Sequence, residues 1–135
     1  MSSPDTSPEV ERLLAENAAL REHNELLSAV ITHCPAVIFV KDTEGRLLLC
    51  NRTYETLVGV EPGGLLGKTD SEIFGPATGE EIRARDLAVC AGETAQEMEE
   101  LIPQSDGIHT YVSIKFPLYD KNGTLCGLAG IATDI

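Results

Sequence analysis

Ala36-Val37-Ile38-Phe39-Val40-Lys41-Asp42-Thr43-Glu44-Gly45-Arg46-Leu47-Leu48-Leu49-Cys50-Asn51-Arg52-Thr53-Tyr54-Glu55-Thr56-Leu57-Val58-Gly59 holds two short apolar runs on either side of Asp42-Thr43-Glu44-Gly45. Runs rich in β-branched and aliphatic residues around a turn sequence predict a β-hairpin, with Gly45 free to take the positive φ that a tight loop requires. The second run stops at Asn51, whose side-chain oxygen can accept a bond from an orphan N–H at a helix start. Tyr54, Leu57 and Val58 then recur at helical spacing, and Gly59 suits the left-handed position that closes a helix. Strand, turn, strand and capped helix open a small α+β domain.

Beyond Gly59, Glu61-Pro62-Gly63-Gly64 reads as loop, and Asp70 is placed to cap a short helix over 71–74. Asp70, Ser71 and Glu72 resemble a polar cluster, but capping explains them more simply than chemistry does. Gly79–Ala91 predicts a longer helix ended by Gly92. Ile82, Leu87, Ala88 and Val89 supply its apolar side, while Glu80, Glu81, Arg83, Arg85 and Asp86 face water. Three strands follow. Gln96–Pro103 leads into a Ser105-Asp106-Gly107 turn. Then Ile108, Thr110, Val112, Ile114, Phe116 and Leu118 alternate against His109, Tyr111, Ser113 and Lys115, the period of two that marks a strand with one strongly apolar face. Asp120-Lys121-Asn122-Gly123 predicts a tight hairpin, and the last strand, Leu125–Thr133, carries Gly127 and Gly130, which permit close approach or a bend.

Upstream, residues 1–7 are small and polar and are expected to be disordered. Ser7-Pro8 reads as helix cap and first turn, and a heptad pattern follows for about three repeats. Val10, Asn17, Asn24 and Ile31 take the a positions, and Leu13, Leu20 and Leu27 take d. Leucine at d with asparagine at a predicts a parallel two-stranded coiled coil over residues 8–33, with Glu16 and Arg21 at g and e positioned to pair between chains. A helix packed on its own domain is the alternative, favoured by Leu14 and Leu26 off the seam. A basic zipper needs an upstream Lys/Arg segment, whereas residues 1–12 hold only Arg12. His33-Cys34-Pro35 ends the helix, since the residue before proline avoids the α region. Two adjacent potential ligands without partners mark a junction, not a metal site.

The net charge of −12 opposes binding to nucleic acid or an anionic membrane. Cys34, Cys50, Cys90 and Cys126 lack the spacing of a metal site or disulfide framework and suit reduced thiols. The apolar stretch from Leu26 to Val40 is broken by His33 and Pro35 and is too short for a membrane span, and no signal peptide opens the chain. A cytoplasmic protein is expected. No nucleophile elbow, phosphate-binding glycine loop or zinc-protease motif is present, so no catalysis is expected of this chain.

The order V-I-F-V-K-D-x-E-G-R, N-R-x-Y-E-x-L-V-G, G-K-T-D-x-E-I-F and a closing G-I-A-T-D-I resembles a PAS domain over about residues 30–135, of the kind found in bacterial sensor kinases. The resemblance implies one five-stranded antiparallel sheet, two strands before the helices and three after, in a PAS sensory domain over 34–135. It also implies pairing into a homodimer through the N-terminal helix and the sheet. Haem-binding members offer a histidine from the long helix, where this chain has none, and the photosensing branch uses a cysteine in an N-C-R-F-type helix unlike that around Cys90. Haem and flavin are therefore disfavoured. The candidate pocket residues are Val40, Leu57, Ile73, Ile82, Val112 and Ile114, open to a small apolar or organic ligand or filled by side chains alone. In the family, Asp134 stands at the junction with a C-terminal effector, so the resemblance implies a signal relay from the sheet to a histidine kinase or, alternatively, a diguanylate cyclase. A ligand-free structural dimerisation module is the remaining alternative.

Overall fold

A computed structural model describes residues 7–135 and divides the chain into two units, Met1–Thr32 and His33–Ile135. Helix α1 (Pro8–His33) forms the first. The Ser7 hydroxyl accepts from the Val10 N–H at 3.3 Å, and Pro8 occupies the first helical position, where a missing N–H costs nothing. None of the α1 side chains is buried. Apart from Ser7, the stretch expected to be disordered lies outside the described residues.

The second unit runs β1 (Val37–Lys41), β2 (Leu47–Cys50), α2 (Arg52–Val58), α3 (Asp70–Phe74), α4 (Pro76–Gly92), β3 (Gln96–Gln104), β4 (Gly107–Tyr119) and β5 (Leu125–Asp134). The strands form one antiparallel sheet in the order β2-β1-β5-β4-β3. The first and last segments of the unit thus pair at its centre, and the helices fall in the connection between the two halves. No helix among the described residues is long and apolar enough to cross a membrane.

Asn51 ties the opening hairpin to α2. Its Oδ1 accepts from the Tyr54 N–H at 3.2 Å and from the Ile38 N–H at 3.1 Å, and its Nδ2 donates to the Ala36 carbonyl at 2.7 Å. Gly59, at φ 83°, closes the same helix. Asn51 is 2% exposed, so alanine would remove a cap and strand backbone groups away from water. Asn51→Ala is expected to lower the unfolding free energy by about 2–3 kcal/mol, at or beyond the upper end of the range for a simple cap. Urea denaturation measures this, and an unchanged midpoint would refute the assignment.

The other helix starts differ from expectation. Thr69, not Asp70, caps α3 through a capping box, its side chain accepting from the Glu72 N–H while the Glu72 carboxylate accepts from the Thr69 N–H. Asp70 is left free to turn inward. Helix α4 begins at Pro76, three residues earlier than expected, and ends with Glu93 in the left-handed region. A Cβ on Gly79 would sit 2.4 Å from the Ser71 backbone nitrogen, so only glycine lets α4 lie directly against α3. That close crossing brings Asp70 and Asp86 to the same side of the sheet.

The inward face of the sheet is the largest difference from expectation. Along β4 the buried residues are Tyr111, Ser113 and Lys115, whereas Ile108 and Ile114 are exposed. Along β1 they are Val37, Phe39 and Lys41. Register carries this choice across the sheet: Phe39 stands opposite Gly130, which stands opposite Lys115. Since the side-chain period is two, the partners share one face. A Cβ on Gly130 would lie 2.2 Å from the Phe39 ring, so the glycine lets the tip of that ring reach the backbone of β5. Gly127 likewise admits the Lys41 carbonyl. Around Phe39, the core gathers Val37, Leu47, Tyr54, Val89, Leu128 and Ala132.

Candidate functional site

Two lysines and three carboxylates meet between the sheet and the helices. Lys41 of β1 donates to Asp70 at 2.7 Å and Asp86 at 2.8 Å. Lys115 of β4 donates to the other Asp86 oxygen and to Glu100 of β3, both at 2.8 Å. All five residues are buried. Asp86 is the centre of the network, one oxygen serving each strand. Arg85, partly exposed, approaches Glu100 at 3.4 Å from the network's edge. Lys41 Nζ also stands 4.9 Å from the Phe39 ring centre, within cation–π range.

Burial alone would discharge Lys41, but Asp86 and Asp70 together outweigh it and hold its pKa above the ordinary lysine value. Asp70 is raised, because burial outweighs the pull of its single lysine contact. A carboxyl whose folded pKa exceeds its unfolded one takes up a proton on folding in the interval between them. Asp70 on its own therefore opposes folding above that interval, and the opposition fades as pH falls through it.

A cavity of about 40 Å³ opens beside this network. Its lining includes Phe39, Tyr54, Phe74 and Ile102, together with Lys41, Asp70, Glu100, Ser113 and Lys115. Leu57 and Ile82, both expected there, do line it. Val40, Val112 and Ile114 do not, because β1 and β4 turn their alternate residues inward. Ile73 packs against the core without reaching the cavity. The residues missed are Lys41, Asp70, Asp86, Glu100 and Lys115. Their signal was a lysine closing the apolar run of β1 and another in the middle of β4, each of which reads as solvent-facing when no partner acid is known.

A second, more open cleft shares Val37, Leu57, Tyr111 and Ala132 with the cavity and extends to Gln104 and Asp134. The Asp134 carboxylate meets His109 Nδ1 at 2.7 Å, and His109 Nε2 meets Asp106 at 2.6 Å. The Asp106 hydrogen bond, then that to Asp134, raises the His109 pKa above its usual value. The charged imidazole thus fastens the end of β5 to the β3–β4 turn. This contribution is complete below the unfolded histidine pKa and is lost as pH rises through the folded one. The four cysteines are free, and burial, then Glu55, pushes the Cys50 thiol up to about 11, which removes it as a nucleophile at neutral pH.

The PAS fold family matches residues 31–135. The chain belongs to the PAS family. The chain is 27% identical over 126 residues to the methanogenesis regulatory histidine kinase FilI of Methanothrix harundinacea, a match spanning 93% of this chain but 14% of that protein. It is 31% identical over 109 residues to a diguanylate cyclase of Vibrio cholerae, spanning 78% of this chain and 34% of the cyclase. The solved PAS domain of the Bordetella pertussis virulence sensor BvgS superposes with a TM-score of 0.69 at 30% identity, over 84% of this chain and 87% of that one. The chain therefore corresponds to a small part of these multidomain signalling proteins, and the five-stranded sheet with its helices is the PAS fold.

Proposed function

We propose that this chain is a sensing and dimerisation module that relays occupancy of its cavity to a C-terminal effector, a histidine kinase. The observation that carries the reading is the cavity lined by Lys41 and Lys115, both bonded to Asp86, whose carboxylate ties α4 to two strands of the sheet at once. A bound molecule that disturbs these bonds would alter how α4 sits on the sheet, and β5 passes the change to Asp134. Signalling then needs only a differential affinity between two arrangements of the domain. Two apolar surfaces support pairing of copies: the outer sheet face with Leu101, Ile108, Ile114 and Ile131 exposed, and the α1 seam of Val10, Leu13, Asn17, Leu20, Asn24, Leu27 and Ile31. Neither haem nor flavin belongs to this reading, so the purified protein should be colourless.

The similarity to the Vibrio cyclase favours a second effector, diguanylate cyclase, on the same sensory input. A ligand-free structural module is the competing class, and it predicts no consequence from filling the cavity. The test is a chimera in which residues 1–135 replace the matching segment of the Methanothrix kinase, with autophosphorylation as the readout. Ile82→Phe, which narrows the cavity, is expected to shift activity several-fold in one direction, whereas Leu66→Phe on the exposed loop is not. Equal activity of wild type and Ile82→Phe, both folded, would leave only the structural role standing.

A further inference from the structure

The last residues of β5 are held from one side only. Strand β1 accompanies β5 as far as Ala132, opposite Val37, so Thr133 and Asp134 pair with β4 alone, opposite Val112 and Tyr111. Just beyond, the Ile135 N–H donates to the Thr110 carbonyl at 3.0 Å. Among the described residues, the side chain that fastens this end is His109, with Nδ1 2.7 Å from Asp134 and Nε2 2.6 Å from Asp106. Both are hydrogen-bond distances, and an ionised carboxylate only accepts, so each ring nitrogen carries a proton. That geometry belongs to the imidazolium. A neutral ring has one N–H; its other nitrogen would turn a lone pair towards an anion, and the surviving bond would lose its charge assistance. The side chains of His109, Asp134 and Asp106 are 26%, 44% and 69% exposed, so the ring exchanges protons with solvent.

The neighbouring elements bring no other free charge to this corner. On β4, burial, then Asp134 and Asp106, push the Tyr111 phenol up, which keeps it neutral. On β3, Ile102 stands opposite His109, Gln104 donates to the Tyr111 hydroxyl, and Glu100 is engaged with Lys115. Helix α2 lines the cleft beside Asp134 with Thr53, Thr56 and Leu57. We propose that His109 gives the domain a second input, the proton: a clasp on the end of β5, closed while the ring is charged and open once it is neutral. The hydrogen bond to Asp106, then that to Asp134, hold the ring's pKa above its ordinary value. The clasp is therefore complete below that ordinary value and is lost as pH rises through the elevated one. It needs nothing in the cavity, and its effect on output rests on the relay through Asp134 proposed above.

NMR of the whole chain tests the clasp itself, with His109→Gln assigning the ring resonances. His109 should titrate above the ordinary value of about 6.5, and Asp106→Asn and Asp134→Asn should each lower its midpoint. The heteronuclear NOE of the Asp134 and Ile135 amides should fall as pH rises through the same midpoint. It should stay low at every pH in His109→Gln and high in His109→Lys, whose cation does not titrate in this range. In the kinase chimera, the activity of wild type relative to His109→Gln should change several-fold between about pH 6 and about pH 8. A His109 midpoint at or below about 6.5, or end-strand amides indifferent to its titration, overturns the clasp. A clasp that opens by NMR in a chimera that answers Ile82→Phe but not pH overturns the proton as an input. Silence to both overturns the relay on which that input rests.

Discussion

Asp86→Ala should reduce the unfolding free energy by about 3–5 kcal/mol, the loss typical when one member of a buried ion pair is removed. Each Asp86 oxygen serves a different lysine, at 2.8 Å in both cases. Alanine would therefore leave Lys41 and Lys115 buried with one carboxylate apiece, and the ammoniums cannot reach water from 4% and 1% exposure. Small domains have only about 5–15 kcal/mol in total, so the variant should sit near the edge of folding. Glu81→Ala provides the contrast. That carboxylate lies 3.9 Å from Arg85 on an exposed face, and its loss should stay within about 0.5 kcal/mol. The double variant Asp86→Ala/Lys115→Met should recover part of the loss, since it removes the stranded charge along with its partner. Urea denaturation of the four proteins measures all of this. A midpoint for Asp86→Ala close to that of Glu81→Ala would mean that the network contributes little and that the apolar core alone holds α4 to the sheet.

That network also explains what could and could not be read from the sequence. The hairpins, the Asn51 cap, the Gly59 stop and the five strands rest on interactions between near neighbours, and local patterns report such interactions faithfully. The inward face of β4 does not. Alternation separates Val112 and Ile114 from Ser113 and Lys115, and burial of the apolar set is the natural inference when each strand is judged alone. The outcome was decided by residues 15 and 29 positions from Lys115 in the chain, Glu100 and Asp86, which supply the carboxylates that make its burial tolerable. Asp86 reads as solvent-facing because its helix neighbours Glu80 and Glu81 are, and Asp70 reads as a cap because aspartate and threonine are both good N-cap residues and the two are adjacent. Of the cavity's lining, only Leu57 and Ile82 were thus legible, and its charged wall was hidden by long-range pairing.

A loss of association by several orders of magnitude is expected for Leu20→Ala. Leu13, Leu20 and Leu27 recur every seven residues along α1, and Leu20 is 60% exposed within the single chain. In a parallel pair it becomes the middle d layer, and Asn17 and Asn24 meet their own copies across the axis. Truncating a buried leucine costs about 2–5 kcal/mol, and a symmetric dimer suffers the loss in both chains. At about 1.4 kcal/mol for each tenfold, even the lower figure doubled weakens the dimer by more than a hundredfold. Asn17→Val should act in the opposite direction, tightening association while relaxing the choice of oligomer, because the paired asparagines fix register at some cost in stability. Sedimentation velocity at micromolar concentration distinguishes the three proteins. Wild type should sediment as a dimer and Leu20→Ala as a folded monomer whose sheet keeps its circular dichroism. A monomeric wild type, or a Leu20→Ala variant as dimeric as its parent, would exclude the seam. The exposed sheet face around Ile114 and Ile131 would then be the place to look for the contact between copies.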